Sequence, residues 1–511
     1  MIKKFKLYFL LATVVFSATS CLDKMPEDSI PFDEAIQTVS DVNQAVIGIY
    51  AAFKSSALYS GNLTLLPDLQ TDFVYGIKEN TNIYGDIWRW KDILSTNKSI
   101  EAVYAALYNV INRCNFLLDR VDGVRKITTD DNDLDKIEQY CGETYFARAL
   151  AYSELVKLFC KAYEDDDDAA NQLGVVLTEH YQGDEVMKRA SLKDSYEFIL
   201  KDLDRAAELL ALDKDYDPSL DGALYNNATY FNEYTVYALR ARVALYMRKW
   251  DEAIKYSSKV IDSNYYLLSS CTNNISSDVS YYKYMWTNDL STEIIFKVGF
   301  TVNSYGGRLG EIFFNYDYTS FRPDYVPATW VINSYNNNDL RVSTFFQSYT
   351  TGYSHHLSWP LLIKYFGNET FYNAKILHVS MPKVLRLSEQ YLIRAEAYVQ
   401  KEQPDYGRAG KDITAIRTAR YTTYGGSTAL SAANAMEVIE AERVKELYME
   451  GFRLHDLKRW HKGFERKPQD QSLDSGDRLK VEADDPLFVW PIPQHELDAP
   501  GSQVEPNESN K

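Results

Sequence analysis

The segment Tyr234–Ile261 limits the fold most narrowly, because it predicts two helices folded back on each other. Small and apolar residues recur at helical spacing on both sides of a break at Lys249-Trp250. They are Ala238, Ala241, Leu245 and Tyr246 before the break, and Ala253, Ile254, Ser257 and Val260 after it. Small residues let two helices cross closely, so the segment predicts a helical hairpin of the tetratricopeptide type. Such hairpins bury their apolar faces by stacking on further hairpins.

Other segments repeat this apolar spacing along the chain. The predicted helices cover residues 40–53, 101–121, 140–163, 192–212, 390–400 and 406–420. Ser191, with Asp194 three residues later, is a capping signal for the fourth of these helices. The sequence therefore predicts a mainly α fold class.

The stretch from about 265 to 385 differs from the rest, because Asn, Ser, Tyr and Gly crowd it and helix signals are few. Residues 293–300 alternate enough to predict a short strand. Irregular, aromatic-rich loops held by a rigid scaffold are common places for binding sites. We therefore expect the ligand-binding residues to lie mainly in this region.

The N-terminus predicts export and lipidation. Lys3, Lys4 and Lys6 precede an apolar run, and small residues lead directly to Cys21. This pattern predicts a signal peptide over 1–20, cleavage before Cys21 and acylation of its thiol, followed by an acidic tether over 21–39. Ala18 stands where such sites usually have leucine, and an ordinary secretory signal with a chance cysteine is the alternative.

Charge and cysteine spacing exclude several classes of protein. The formal charge is −17, and removal of residues 1–20 would take away three lysines and no acid. Such an acidic surface repels phosphate backbones, which argues against nucleic-acid binding. The other cysteines are Cys114, Cys141, Cys160 and Cys271, with no CxxC pair. We expect the first three of these to be free buried thiols, and we expect no metal site and no cofactor.

Several blocks of the sequence are similar to one known family. Residues 441–460, AERVKELYMEGFRLHDLKRW, resemble the C-terminal signature of the SusD/RagB lipoproteins, and residues 146–159, 293–296 and 487–497 resemble three further blocks. With Cys21 they run in the expected order through nearly the whole mature chain. Cys160 departs from the family pattern, which often has glycine there.

The resemblance implies a SusD-like fold with tetratricopeptide-like hairpins and an irregular ligand-binding region containing short strands. The implied organisation is an N-terminal helical region over 40–265, an irregular region over 266–385 and a C-terminal region over 386–511. It also implies a lipid-anchored protein on the cell-surface side of the outer membrane, partnered by a SusC/RagA-like TonB-dependent barrel.

The implied activity is binding of nutrient oligomers for uptake, without catalysis. Family members capture oligosaccharides or, in the RagB branch, peptides. Residues 173–181 and 322–330 resemble the RagB branch, so a peptide ligand stays open beside a glycan. A surface glycoside hydrolase and a periplasmic helical scaffold are the remaining alternatives.

Acidic residues in the C-terminal signature invite a catalytic interpretation, which helical geometry opposes. Over a single helix 442–460 the apolar face is formed by Leu447, Leu454, Leu457 and Trp460. The acids Glu442, Glu446, Glu450 and Asp456 then require arginine partners, of which Arg443, Arg453 and Arg459 are nearest in sequence. We expect a structural ion-pair network. The acidic run 164–168 predicts a solvated loop, and residues 213–224 lack the glycine and glutamate that a calcium loop needs.

The remaining candidates for a site are aromatic. A sugar ring stacks its C–H groups on a flat aromatic face, and tyrosine adds a hydroxyl to that face. The ligand-binding candidates are Tyr75, Trp88 and Trp90 in an early loop, Tyr281, Tyr282, Tyr284 and Trp286 in a dense patch, and Tyr305, Tyr316, Tyr318 and Phe321 further on. For any one of them, core packing is the competing interpretation.

Overall fold

Helices provide most of the regular structure in the computed structural model, which describes residues 35–181, 186–211, 228–467, 470–474 and 476–511. In the N-terminal half they are α1 (Val39–Ala52), α2 (Asn62–Leu69), α3 (Gly85–Arg89), α4 (Lys98–Leu118), α5 (Val121–Ile127), α6 (Asp131–Phe159), α7 (Asp166–Asn171), α8 (Leu192–Leu209), α9 (Glu233–Tyr246) and α10 (Trp250–Ile261). Those that follow are α11 (Tyr281–Thr287), α12 (Glu311–Phe314), α13 (Thr329–Ser334), α14 (Arg341–Phe345), α15 (Glu369–Asn373), α16 (Leu387–Gln400), α17 (Tyr406–Arg420), α18 (Ala435–Glu446), α19 (Arg453–Arg459) and α20 (Gln494–Leu497).

The strands are short and form small antiparallel sheets. They are β1 (Val74–Ile77), β2 (Leu173–Val176), β3 (Arg189–Ser191), β4 (Asn274–Ser276), β5 (Val279–Ser280), β6 (Ile294–Lys297), β7 (Tyr325–Pro327), β8 (Phe346–Thr350), β9 (Ser358–Leu362), β10 (Lys383–Arg386), β11 (Phe464–Glu465), β12 (Leu473–Asp474) and β13 (Lys480–Val481). One sheet has the order β12-β1-β7, and β10 pairs with β6. The pairings within the three-stranded sheet join segments that are hundreds of residues apart in sequence.

The helical hairpins predicted from the sequence are confirmed. Helices α9 and α10 pack on each other, α10 packs on α16, and α16 packs on α17. Ser191 caps α8, because its hydroxyl accepts the backbone N–H of Asp194. The mainly α fold class is confirmed, and β6 confirms the strand predicted within 293–300. The domain boundaries stay a prediction.

One helix prediction is wrong: residues 442–460 do not form a continuous helix. Helix α18 ends at Glu446 and α19 begins at Arg453, with Met449 at φ 58° and Gly451 at φ 84° between them. A right-handed helix cannot contain these backbone angles. Leu447 consequently packs in a different apolar cluster from Leu454, so the predicted single apolar face does not exist.

The main apolar core runs through nearly the whole described chain, from Ile36 to Val504. A second cluster lies around α16, α17 and α18, and a third lies where α9 and α10 meet α16. Cys114, Cys141 and Cys160 are free and buried, as predicted, and Cys271 is free and buried as well. Burial raises the pKa of the Cys271 thiol to about 12, so this thiol stays protonated and unreactive.

Candidate functional site

The acidic residues of the C-terminal signature are held in a buried ion-pair network. Glu446 lies among three guanidinium groups, with its carboxylate oxygens 3.0 Å from Arg341, 3.1 Å from Arg386 and 2.8 Å from Arg420. Glu442 lies 2.7 Å from Arg341. The predicted ion-pair network is present, but the arginines that pair with these two acids come from other elements and not from the neighbours named in the sequence analysis.

Charge and burial act in opposite directions on these carboxyl groups. Burial alone would raise the pKa of Glu442, but Arg341, Lys445 and Arg417 outweigh it and hold the pKa at about 2. A general acid needs a proton to give near neutral pH, which this carboxyl does not carry. Asp456 pairs with Arg443 and Arg459, as predicted from the sequence, and Arg459 also pairs with Glu396. The acidic side chains are therefore paired with basic side chains, which favours a structural role.

The structure corrects the prediction that the early aromatic group contacts ligand. The side chains of Tyr75, Trp88 and Trp90 are buried and only 0–4% exposed. Their polar atoms bond to the backbone. Trp88 Nε1 donates to the carbonyl of Val74, and the Tyr75 hydroxyl donates to the carbonyl of Lys467 at 2.6 Å. These rings hold the early loop against the three-stranded sheet, so no ligand reaches them in this structure.

Helix α11 places the residues of the second aromatic group on two different faces. Tyr282 and Trp286 face inward from α11 and are 0% and 2% exposed, which removes both from the accessible candidates. Each ring covers a buried cation: the Arg420 guanidinium carbon lies 4.0 Å from the Tyr282 ring centre, and Lys364 Nζ lies 4.1 Å from that of Trp286. Tyr281 is exposed and Tyr284 half-buried on the opposite face.

The third group contributes to a surface that we call the aromatic patch. It consists of six partly exposed rings joined by ring contacts: Tyr316, Tyr318, Phe321, Tyr349, Phe366 and Tyr372. Tyr316 stacks on Phe321 with 4.6 Å between ring centres and 16° between planes. Tyr318, the most exposed ring at 46%, lies 6.4 Å from Tyr372. Tyr305 is exposed nearby in sequence and contacts the buried ring of Phe371.

A tight turn sets the position of Tyr318 within the patch. The Asp317 carboxylate Oδ1 accepts the backbone N–H groups of Thr319 at 2.9 Å and Ser320 at 2.8 Å. The Thr319 hydroxyl donates a further hydrogen bond to the same oxygen. Together these bonds lower the pKa of Asp317, and the bond from the hydroxyl contributes most. Tyr318 itself has φ 70°, a left-handed conformation that a tyrosine rarely adopts. Strained backbone is common where side chains are held for binding.

The hairpin of β8 and β9 supplies a patch residue that the sequence analysis missed. Tyr349 on β8 lies 4.3 Å from Phe321, and the Gly352 N–H donates to the Phe321 carbonyl at 2.8 Å. Phe366 and Tyr372 were missed as well. Residues 346–350 show no alternation that could have marked Tyr349, because the two aromatic residues of this segment are three positions apart. Nothing local marks the other two, because they join the patch only through tertiary contacts.

Other polar candidates remain outside the patch. His355 is exposed beside Glu79, at 3.6 Å, and the acidic run caps α7 through Asp165 instead of forming a free loop. Within the described ranges, no group of three or more His, Cys, Asp or Glu is placed to hold a metal ion. The predicted lipidation site Cys21 and the rejected calcium loop at 213–224 lie outside the described residues.

Family profiles match the chain over most of its length. A profile described as starch-binding and associated with the outer membrane matches residues 21–245, and the SusD family profile matches residues 216–507. SusD-like protein P25 from Formosa agariphila is 30% identical over 156 residues, which is 29% of this chain and 28% of that relative. SusD-like protein P2 from the same organism is 24% identical over 166 residues, 31% of this chain and 30% of that relative.

Solved structures share the fold. A SusD superfamily protein from Bacteroides thetaiotaomicron superposes with a TM-score of 0.76 and 23% identity, over 92% of this chain and 99% of that one. A SusD-like carbohydrate binding protein from Bacteroides vulgatus gives 0.73 and 19%, over 92% and 98%. Surface glycan-binding protein A from Bacteroides fluxus gives 0.68 and 18%, over 93% and 100%.

The fold and the C-terminal signature agree with these matches. Among the described helices, none combines the length and the apolar character needed to cross a membrane. The SusD family profile alone covers more than half of the chain and includes both the ion-pair network and the aromatic patch. The chain therefore belongs to the SusD/RagB family.

Proposed function

We propose that this protein binds an oligosaccharide at the cell surface through the aromatic patch and delivers it to a SusC-like TonB-dependent barrel. The observation that carries the proposal is the set of six connected, partly exposed rings on one surface. A sugar ring has one face of C–H groups that stacks on such rings. Several adjacent rings of the patch can therefore hold several sugar units of one chain.

Polar groups for the sugar hydroxyls lie beside the rings. Asp317 uses Oδ1 for its own turn, which leaves Oδ2 to accept a hydroxyl. Lys375 Nζ lies 5.7 Å from the centre of the Tyr318 ring, and Arg322 is exposed at the end of the same loop. A few placed polar groups among apolar surfaces are the usual composition of a small-molecule site.

Family relations support a binding role without catalysis. Two proteins of the same fold are described as carbohydrate-binding or glycan-binding. The outer-membrane association of the matched family supports a cell-surface location, anchored through Cys21. Transport energy would then come from the barrel, and this chain would supply capture and hand-over.

The test begins with an array carrying both glycans and peptides, followed by calorimetry with the tightest glycan. Tyr318→Ala and Tyr372→Ala should each weaken binding about tenfold, because each removes one stacking face. Tyr230→Ala is the matched control, since Tyr230 is 58% exposed but packs on Tyr50 outside the patch. Equal affinity of the Tyr318 variant and the wild type would rule out the patch.

Two further results bear on the ligand class and the partner. Binding of peptides with no glycan bound would overturn the carbohydrate assignment and favour the RagB-like alternative. Release of new reducing ends from the bound glycan would contradict a purely binding role. Delivery predicts that a tagged chain, solubilised in mild detergent, brings a TonB-dependent barrel with it; absence of that barrel would contradict the proposed partnership.

A further inference from the structure

A buried histidine supports the aromatic patch from beneath. His378 lies between α15 and β10 and is 3% exposed. Its Nε2 is 3.1 Å from the backbone nitrogen of Tyr316, and its Nδ1 is 3.3 Å from the carbonyl oxygen of Phe366. Tyr316 and Phe366 are both patch residues, on two separate loops. One imidazole therefore links the backbones of two loops that carry patch rings.

The two hydrogen bonds fix the protonation state of this imidazole. The Tyr316 backbone N–H can only donate, so Nε2 must accept and carry no proton. The Phe366 carbonyl can only accept, so Nδ1 must carry the hydrogen. An imidazolium has a hydrogen on both nitrogens and would point one of them at the Tyr316 N–H. Only the neutral ring therefore satisfies both partners.

We propose that His378 is a positioning residue for the patch, and that its protonation loosens the Tyr316 loop and releases bound glycan. This inference rests on the proposed function. It assigns His378 no contact with the sugar. The imidazole acts through the backbone bonds that set the distance between the rings of Tyr316 and Phe366, which is 6.0 Å in the neutral form.

The surroundings of His378 favour the neutral ring. It stacks on Phe314, with 5.7 Å between ring centres and 10° between planes, and meets Phe366 edge to face. Burial lowers the pKa of His378 below its ordinary value, and the cation Arg308 adds to this effect. The ring is therefore neutral at pH 7 and becomes charged only in acid.

Charged groups on the elements around His378 do not offset the lowering of its pKa. Arg308 and Glu311 lie 3.9 Å apart beside α12 and partly neutralise each other. Asp317 on the patch loop is engaged in its own turn, and Lys375 precedes His378 on the same segment as a second cation. Within the described ranges, no carboxylate forms an ion pair with His378. Protonation would therefore place an uncompensated charge among aromatic rings, which favours opening of the loop.

The first experiment needs no sugar. Hydrogen exchange of the Tyr316 amide is measured in the whole protein at pH 7.5, 6.0 and 5.0, each corrected for the intrinsic exchange rate. In the wild type its protection should fall once the pH is below the pKa of His378, because the bond to Nε2 is lost. His378→Gln offers an amide oxygen that accepts the same N–H and does not titrate, so its protection should stay high and independent of pH.

His378→Phe keeps an aromatic ring over Phe314 but has no acceptor. Its Tyr316 amide should be weakly protected at every pH. His355→Gln is the matched control, because it replaces an exposed histidine beside Glu79 that lies outside the patch; its profile should equal that of the wild type. Unchanged protection of Tyr316 with pH in the wild type, or normal protection in His378→Phe, would overturn the proposal.

The second experiment uses the array glycan that binds most tightly at pH 7.5. Wild-type affinity should fall about tenfold per pH unit once the pH is below the pKa of His378, since one proton competes with the bound state. His378→Gln should bind with nearly constant affinity, and His378→Phe should bind weakly throughout. A pH-dependent wild type with an equally pH-dependent Gln variant would contradict the role of His378. Absence of glycan binding at all pH values would instead reject the proposed function. The hydrogen-exchange measurements on the Tyr316 amide would still test the role of His378.

Discussion

Glu446 shows how a single buried residue in the family signature stabilises the fold. Three arginines from α14, β10 and α17 converge on its carboxylate, so one residue joins three distant segments. Buried ion pairs gain little over apolar packing, but loss of one partner leaves charges that nothing balances. The signature is therefore a marker of structure, which explains why it reports the fold and not the ligand.

Glu446→Gln should lower the free energy of unfolding by about 3 kcal/mol or more, because three guanidinium groups lose their shared anion. Glycan affinity of the folded variant should change little. The matched control is Glu440→Gln on the same helix, where the pairs with Arg453 and Lys462 are partly exposed and worth about 1 kcal/mol or less. Denaturant unfolding measures both variants. Equal losses in the two would contradict the central role of Glu446.

Asp68 presents the opposite case, a buried acid whose pKa is raised to about 7 by burial. Among the described residues its carboxylate accepts the backbone N–H groups of Gly451 and Arg453, at 2.9 and 2.8 Å, which lower the pKa without overcoming burial. Between pH 4 and 7 the folded chain keeps a proton that the unfolded chain releases. Stability from this group therefore falls as the pH rises through that window.

Asp68→Asn removes this proton uptake while keeping an oxygen that can accept one of the two N–H groups. Relative to the wild type, the variant should gain stability as the pH rises from 5 to 7, by about 1 kcal/mol per pH unit. The comparison cancels the other titrating groups, which both proteins share. Unfolding free energies at several pH values measure it. A constant difference between the two proteins across this range would show that Asp68 ionises normally.

At the scale of elements, the sequence predicts the helices well where their signals are local. The hairpin of α9 and α10 follows from small residues at helical spacing, and Ser191 marks the start of α8 within its own turn. The break between α18 and α19 was not predicted. It depends on Asp68, nearly 400 residues earlier, which accepts the N–H groups freed at the break.

The candidate site was predicted only in part for a related reason. Composition located an aromatic-rich region, and Tyr316, Tyr318 and Phe321 within it are partly exposed. It could not separate these from Tyr282 and Trp286, because those two rings pack on residues of other elements, Arg420, Lys364 and Phe345 among them. Local sequence shows which rings exist, whereas tertiary packing decides which of them face the solvent.

The turn between α18 and α19 gives a test at this scale. Gly451 has φ 84°, and an added Cβ would lie 3.1 Å from the carbonyl oxygen of Thr64. Gly451→Ala should therefore lower stability by about 1–2 kcal/mol through backbone strain. Gly123→Ala within α5 is the control, since nothing lies within 4 Å of the added Cβ. It should be neutral or stabilising by up to about 1 kcal/mol. Thermal unfolding compares them, and equal shifts would contradict the strain.

At the scale of the whole molecule, the predicted anchor and the patch lie far apart in the sequence. All six patch rings lie between residues 316 and 372, and within the described residues the main core runs from Ile36 to Val504. Patch geometry depends on that core, on the Asp317 turn and on His378, all among the described residues. Affinity for the glycan should therefore be a property of the folded body alone, and retention at the membrane a property of the lipid.

Cys21→Ala tests this separation. Without the thiol there is no acyl chain to hold the protein, so the variant should leave the membrane fraction and appear as soluble protein. Its calorimetric affinity for the array glycan should equal that of the detergent-solubilised wild type, because no patch residue is altered. Ser20→Ala is the matched control: it keeps the thiol and a small residue before it, so it should stay in the membrane fraction. A soluble Cys21→Ala protein with weakened binding would mean that the anchor also shapes the site, and continued membrane retention would mean that another attachment holds the chain.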